Sequence, residues 1–578
     1  MARATGARRI HPLVRRMKEQ LATGGCDRRE FLRTVALLGV SAPAAYAMAG
    51  RILGENLVDP LQAAQDTPRK GGILRVSMPV PEIKDPATFD WTEKSNCVRH
   101  MIEYLTYTGP DNVTRPYLAE RWEASDDLTQ WTFYLRRGIR WHNGDSFNAD
   151  DVVFNFTRWL DPATGSSNQG LFAAMTEEYE TGEKNEDGSP KMGKRMRAGA
   201  VEKLDDYTVR LNLSRPVLSI PENLFNYPTA IVHRDFDRNG ADVLAFRVGT
   251  GPYTIAEFAV GEKCILERVD QPYWGEELDD PFIGGPIYLD EIHYYDHGPA
   301  SAAQLAAFAS GQVDMTFEIG KDSLQMAQSV PGAVLYEVTT ARTGVMRMQV
   351  DRKPFDDLRV RRAIQLCCDA KVYPELVYLG RGTVGEHHHV SPIHPEYFPL
   401  PPFEPNVEEA RSLLAEAGYP DGLELTIDVG NTNGPWQQQV CEIFREQLAP
   451  AGIRLNINVM PAPQYWEIWD KTPFGMTAWT HRPLGTMVLS LGYRCGVPWN
   501  ETHYCNKAFD EALDAAESTV DVAERRKLME KVERILQQDA VIVQPLWQPS
   551  FTVAAEKVKN FHAHPTQYHL CHRVWVDA

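Results

Sequence analysis

The 578-residue chain is poor in cysteine, with nine, so it is no small scaffold stapled by disulfides. It lacks a long apolar run. The only extended uncharged stretch, 34–50, is too short and too rich in Ala and Gly for a spanning helix of about 20 residues. It lacks positive charge: a formal net charge of −18 argues against a nucleic-acid partner, which needs concentrated Lys and Arg. Its 41 Gly and 39 Pro follow no fixed period, which excludes a collagen-like chain. There is no H-E-x-x-H, no P-loop, and no G-x-S-x-G beyond the first fifty residues. What is present is a globular composition. At roughly 100–200 residues per domain, the length suggests three or four domain-sized units.

The charge is unevenly spread. Residues 1–49 hold nine Lys and Arg against three acids, then an apolar run, then small residues. That is the order of an export signal. Asp27-Arg28-Arg29-Glu30-Phe31-Leu32-Arg33 resembles a twin-arginine motif, a receptor-read address, so the twin-arginine export machinery is an expected partner. Cleavage is expected after Ala47 or Ala49, each closing an Ala-x-Ala triplet, or nearer Ala64. No Cys follows the apolar run and Cys26 precedes it, so the mature protein is expected to be soluble, periplasmic and not lipid-anchored. The plainer reading is an amphipathic basic helix lying on the folded protein. Residues 50–70, polar with Pro60 and Pro68, read as a linker. The resemblance implies folding before export, with disulfides forming after crossing. Cys495 and Cys505 bracket one short loop and are the best candidate pair, provided their Cα atoms lie within about 7 Å; otherwise they are two buried thiols.

Strands and helices alternate along most of the chain, which favours α/β domains. Residues 71–77, Trp131 to Leu135 and Tyr207 to Leu213 alternate as strands. Asn148 fits a helix N-cap with Asp151 three residues on, and Val152, Phe156, Trp159 and Leu160 then mark one buried face. Residues 180–200 read as a charged surface insertion. Residues 299–311 read as a helix ending at Gly311. Asp356 could cap a helix through Ala363, Asn406 and Glu409 form a capping-box-like start, and 508–538 reads as one or two long helices.

Three clusters invite chemistry. Gly380-Arg381-Gly382-Thr383-Val384-Gly385 fits G-x-G-x-x-G, but a helical stretch precedes it and a His/Pro loop follows, the wrong context for a nucleotide. His387, His388 and His389, with His394 nearby, could ligate Ni, Cu or Zn, but three consecutive imidazoles cannot all face one ion from regular structure, and a polar loop is the plainer reading. Cys367 and Cys368 read as packing within a helix. Trp479-Thr480-His481-Arg482-Pro483, with Tyr493-Arg494 and Trp499-Asn500-Glu501, places aromatic faces, a guanidinium and an imidazole in a loop-rich stretch. That suits a polar organic ligand in a cleft, and equally a packed loop with a paired Arg.

Seven sequence blocks in order then resemble one family. They are the run from Leu118 through Phe154, Gly249-Thr250-Gly251-Pro252-Tyr253, Tyr273-Trp274, Leu289-Asp290-Glu291-Ile292, Gly311-Gln312-Val313-Asp314, Pro354-Phe355, and Arg359 to Ala363. The chain resembles a family-5 extracellular solute-binding protein, the peptide/nickel receptors of ABC importers. The resemblance implies an α/β, two-lobed periplasmic-binding-protein fold of type II with an additional domain inserted in the first lobe. It assigns 71–90, 240–325 and 546–578 to domain I, 91–239 to domain II and 326–545 to domain III. It implies a monomeric receptor, not an enzyme and without cofactor, that closes over a small-molecule or peptide ligand and delivers it to an ABC transporter permease.

The resemblance also implies an Asp after the Trp-containing strand, pairing the α-ammonium of a peptide. Here that loop reads Trp479-Thr480-His481-Arg482 and has no acid. Arg482 is therefore expected to hold an anionic or hydroxyl-rich group. Trp436, Trp479 and Tyr493 are expected as walls, His481 as a further contact, and Glu318 as an acid from the facing side. No metal ligand or catalytic residue is assigned. The alternatives are a receptor for a metal chelate, opine or oligosaccharide, an exported hydrolase on the same scaffold, and a chaperone-like binder of unfolded chains.

Overall fold

The computed structural model describes residues 11–53, 67–184, 189–298 and 300–577. The linker expected at 50–70 falls largely outside them, as does the tip of the 180–200 insertion. One twelve-stranded sheet runs through the molecule. At one end, Tyr253–Ala259, Lys263–Arg268, Glu291–Tyr295, Ile73–Ser77 and Met315–Thr316 lie in that order. At the other end lie Phe474–Trp479, Leu423–Val429 and Ile453–Val459. Two long antiparallel strands, Ala333–Met348 and Leu546–Ala555, join the halves, and their pairing is broken once, by a bulge between Thr339 and Arg342. Each half is an α/β layer whose strands include parallel pairs, the pattern of a sheet buried on both faces.

A separate four-stranded sheet carries Ala119–Ala124, Gln130–Leu135, Thr208–Asn212 and Val201–Asp205. The helix Ala149–Trp159 has the expected N-cap, and it closes into a capping box: the Asn148 side chain accepts from Asp150 N, and Asp151 receives the Asn148 amide. Val152, Phe156, Trp159 and Leu160 are fully buried, as their spacing predicts.

The sequence blocks turn out to be packing devices. Gly249 and Gly251 face the carbonyls of Met101 and His100, where a Cβ would sit at 1.8 and 2.2 Å, so only Gly fits. Thr250 and Trp274 both donate to the buried Glu103 carboxylate, at 2.8 and 2.7 Å. Burial still outweighs them and raises the Glu103 pKa to about 7.

Several local expectations shift. The cap at 356–363 is Asp357, whose side chain accepts from Arg359 N; the helix is Leu358–Leu366. Cys367 and Cys368 lie at and beyond its C-terminus, both buried. The 180–200 insertion is an exposed hairpin of Thr176–Lys184 and Pro190–Met196. The region 508–538 is two helices, Lys507–Glu517 and Val522–Gln538. Cys495 and Cys505 are disulfide-bonded, with Cα atoms 4.4 Å apart.

Residues 11–53 form three helices against the body: α1 (Pro12–Thr23), α2 (Arg28–Leu37) and α3 (Ala42–Leu53). Val14, Met17 and Leu21 give α1 a buried stripe, and Phe31 to Leu38 are buried. Arg28 and Arg29 face outward. No helix is long and apolar enough to cross a membrane among the described residues.

Candidate functional site

The region of the smaller sheets, 194–216, meets the region 495–518. Arg215 pairs with Glu517 at 2.9 Å and with Asp514 at 3.0 Å, Ser518 donates to Pro216 O, and Lys194 donates to Cys495 O. A line of cavities holds five of the six residues expected at a site.

Arg482 sits where the strand Phe474–Trp479 gives way to a loop. Its side chain is buried. One terminal nitrogen donates to Thr480 Oγ1 and to His481 O, the other to Tyr227 OH at 2.8 Å across the interface. Its carbon lies 4.9 Å from the Tyr227 ring centroid. Nε has no partner, and among the described residues no carboxylate lies within ion-pair distance. Arg482 and His481 line a cavity of about 20 Å³, with Glu222, Phe225 and Tyr568 opposite. His481 Nδ1 accepts from Ala341 N, the amide at the bulge of the joining strand. Burial holds the His481 pKa well below its usual value, with His394, His564, Arg482 and Arg29 adding to the effect.

Trp479 lines a second small cavity with Tyr227, Trp91, Trp466, Trp469 and Trp499. Its indole N–H donates 2.9 Å to Glu501 Oε1. Glu501 also receives Arg347 Nε at 3.0 Å and Thr477 Oγ1 at 2.5 Å. It thus fixes the Trp479 ring, although burial raises its own pKa.

Glu318 and Trp436 line a third cavity, of about 300 Å³. Glu318, expected to supply an acid from the facing side, has both its oxygens taken by the buried Arg342, which also donates to Asn433 Oδ1. Glu93 lies on the same cavity with Oε2 unpartnered, and burial pushes its pKa up to about 8. Trp436 is a wall, pinned by its N–H on Asn433 O at 2.7 Å.

Tyr493, expected as a wall, stands one layer behind. Its hydroxyl meets His389 Nδ1 at 2.7 Å, and the His389 ring packs edge-on against Trp479. His387, His388 and His389 are all buried and face different partners: Gln544 N, Val390 N and Tyr493 OH. No cluster of three His, Cys, Asp or Glu is placed to hold a metal among the described residues. Sequence reasoning missed Arg342, Tyr227, Glu93 and Trp91. Each comes from a segment far from 479–501, and none carries a spacing signal.

Cavities walled in part by aromatic rings, one of them beside a buried guanidinium with no carboxylate at ion-pair distance among the described residues, give the protein room for a ligand. The chain belongs to the bacterial extracellular solute-binding proteins of family 5, whose description "family 5 Middle" matches residues 114–487. It is 26% identical over 497 residues to heme-binding protein A of Haemophilus influenzae, covering 80% of this chain and 84% of that protein. It is also 26% identical over 516 residues to the periplasmic oligopeptide-binding protein OppA of the same organism, covering 85% and 90%. The periplasmic binding protein DppA of Helicobacter pylori, solved with the peptide STSA, superposes with a TM-score of 0.74 at 23% identity, covering 88% of this chain and 99% of that one. The fold is that of the type II periplasmic binding proteins.

Proposed function

We propose that the protein is a periplasmic receptor of an ABC importer, without catalytic chemistry. It closes over a small polar ligand of the peptide or oligopeptide class and hands it to a membrane permease. The peptide-binding relatives support the class. In this reading the strands Ala333–Met348 and Leu546–Ala555 are the hinge, 71–325 with 546–578 is the first lobe (91–239 its additional domain), and 326–545 is the second. The receptor is monomeric and reaches the periplasm by the twin-arginine route.

The observation that carries the ligand's chemistry is Arg482, buried between the lobes with Nε free and no counter-carboxylate among the described residues. An unpaired buried cation is costly, so the ligand supplies the anion, a carboxylate in bidentate geometry being the best fit. Ligand shifts the open–closed balance only by its differential affinity for the closed state, and Arg482, contacting both lobes' groups, supplies that difference. The experiment is native mass spectrometry of protein purified gently from the periplasm, followed by denaturation and identification of the released molecule. A released carboxylate-bearing peptide is the expected result. Release of a ligand with no anionic group overturns it.

A further inference from the structure

The segment 11–53 reaches into the cleft mouth and touches both lobes. Arg33 of α2 is buried, and its Nη1 lies 3.1 Å from each oxygen of Glu222. Its other edge meets Glu30 at 3.0 and 2.9 Å. Arg525, from the helix Val522–Gln538, donates to the same Glu30 at 2.8 Å. Nearby, Glu396 is fully buried with Oε2 unpartnered, and its charge is felt at Arg33. Glu222 itself lines the cavity that Arg482 lines from the opposite side.

The body thus presents, at that cavity, a carboxylate whose only ion-pair partner among the described residues is a guanidinium from the N-terminal segment. A buried carboxylate without a counter-charge costs several kcal/mol, so the site is built around a cation. Glu222 is met by a single terminal nitrogen, Nη1, on both its oxygens, while the forked Nε/Nη2 edge of the same guanidinium is spent on Glu30; one nitrogen of a guanidinium is thus what the Glu222 carboxylate holds here.

We propose that Glu222 is a cation subsite of the cleft, that Arg33 fills it as an intramolecular occupant, and that a ligand's arginine side chain takes it over when Arg33 leaves. The subsite extends the receptor reading above and rests on it: Arg482 takes the anionic group and Glu222 the basic one. The N-terminal segment is then a competitor for as long as it stays attached, and the full chain binds arginine-bearing ligand more weakly than a chain whose Arg33 is gone, whether by substitution or by removal of the leader.

The test uses the full chain and its variants Arg33→Ala and Arg33→Ala/Glu222→Gln, with Arg33→Met, which keeps an unbranched apolar stem, as the substitute if the alanine variant does not fold. The first readout is thermal unfolding against added methylguanidinium chloride. Saturable stabilisation of Arg33→Ala, absent from the unchanged chain and from the double variant, is expected; no stabilisation of Arg33→Ala or Arg33→Met overturns the subsite. The second is calorimetric binding of a short arginine-containing peptide and its neutral citrulline counterpart. Arg33→Ala should prefer the arginine peptide by about tenfold or more, the worth of one buried charge pair, and the double variant should show no preference. Equal binding of both peptides to Arg33→Ala overturns the subsite and leaves the receptor reading standing. Stabilisation by methylguanidinium with no binding of either peptide overturns the peptide reading, and with it the ligand side of this proposal.

Discussion

Arg342 and Arg482 lie in one cleft, equally buried, yet in opposite electrostatic conditions. Arg342 is clasped by both oxygens of Glu318 and by Asn433. Arg482 has a tyrosine hydroxyl, a threonine hydroxyl and a carbonyl, all neutral. The charge of Arg342 is answered within the protein; in the proposed receptor that of Arg482 is answered by the ligand. The number of hydrogen bonds does not separate the two, because both side chains are well supplied. The charge of the partners does.

The largest test breaks the paired side. Glu318→Gln leaves Arg342 buried without its carboxylate and should cost about 3–5 kcal/mol of unfolding free energy, read by urea denaturation. A loss well under 1 kcal/mol would mean that the pair is no structural element. Glu93 sharpens the same side. The Glu318 charge helps keep Glu93 protonated, so in Glu318→Gln its pKa should fall below about 8. In the unchanged chain the folded state holds the Glu93 proton from about the model-peptide value of 4.5 up to about 8, while the unfolded state has lost it. Glu93 therefore subtracts stability as pH rises through that window, with a slope of up to about 1.4 kcal/mol per pH unit. Glu93→Gln should remove this slope, measured as stability against pH between 5 and 8; a slope identical in both chains would show that Glu93 does not titrate there.

On the unpaired side, Arg482→Ala should weaken binding of the released ligand by about tenfold or more, with a melting temperature close to that of the unchanged chain. Unchanged affinity would remove Arg482 from the site, and a collapse in stability would move it to the structural class with Arg342. The smallest effect serves as the control far from both arginines. Asn148→Ala, which deletes the capping box, should cost about 1 kcal/mol and leave binding untouched.

The contrast also marks what the sequence discloses. The scaffold was legible because its signals are local: Asn148 and Asp151 are three apart, and Gly249-Thr250-Gly251 must be small where two carbonyls crowd the backbone. The aromatic and basic loop at 479–482 was legible for the same reason, as a dense run. The pairing of each arginine was not. Glu318 meets Arg342, and Tyr227 reaches Arg482 across 255 positions, through a closure no periodicity encodes. Tyr493 was taken for a wall because it lies near Trp479 in the chain, but the loop turns its ring toward His389, behind the surface. The basic leader was read as an address. The order of its residues suggests that reading, while the burial of Arg33 against Glu222 depends on a residue 189 positions away.

The bulge between Thr339 and Arg342 sits in the strand that joins the halves of the sheet, and the free amide it creates at Ala341 is caught by His481, next to Arg482. At this point the strand has slack, so curvature of the sheet concentrates there. Two adjacent residues therefore serve both cavities: Arg342 braces one through Glu318, Ala341 holds the loop of the other through His481, and a small flexure of the backbone here would move both arginines together. In the proposed receptor, a ligand seated on Arg482 would need no signal to a distant hinge, because it would already press on the pivot.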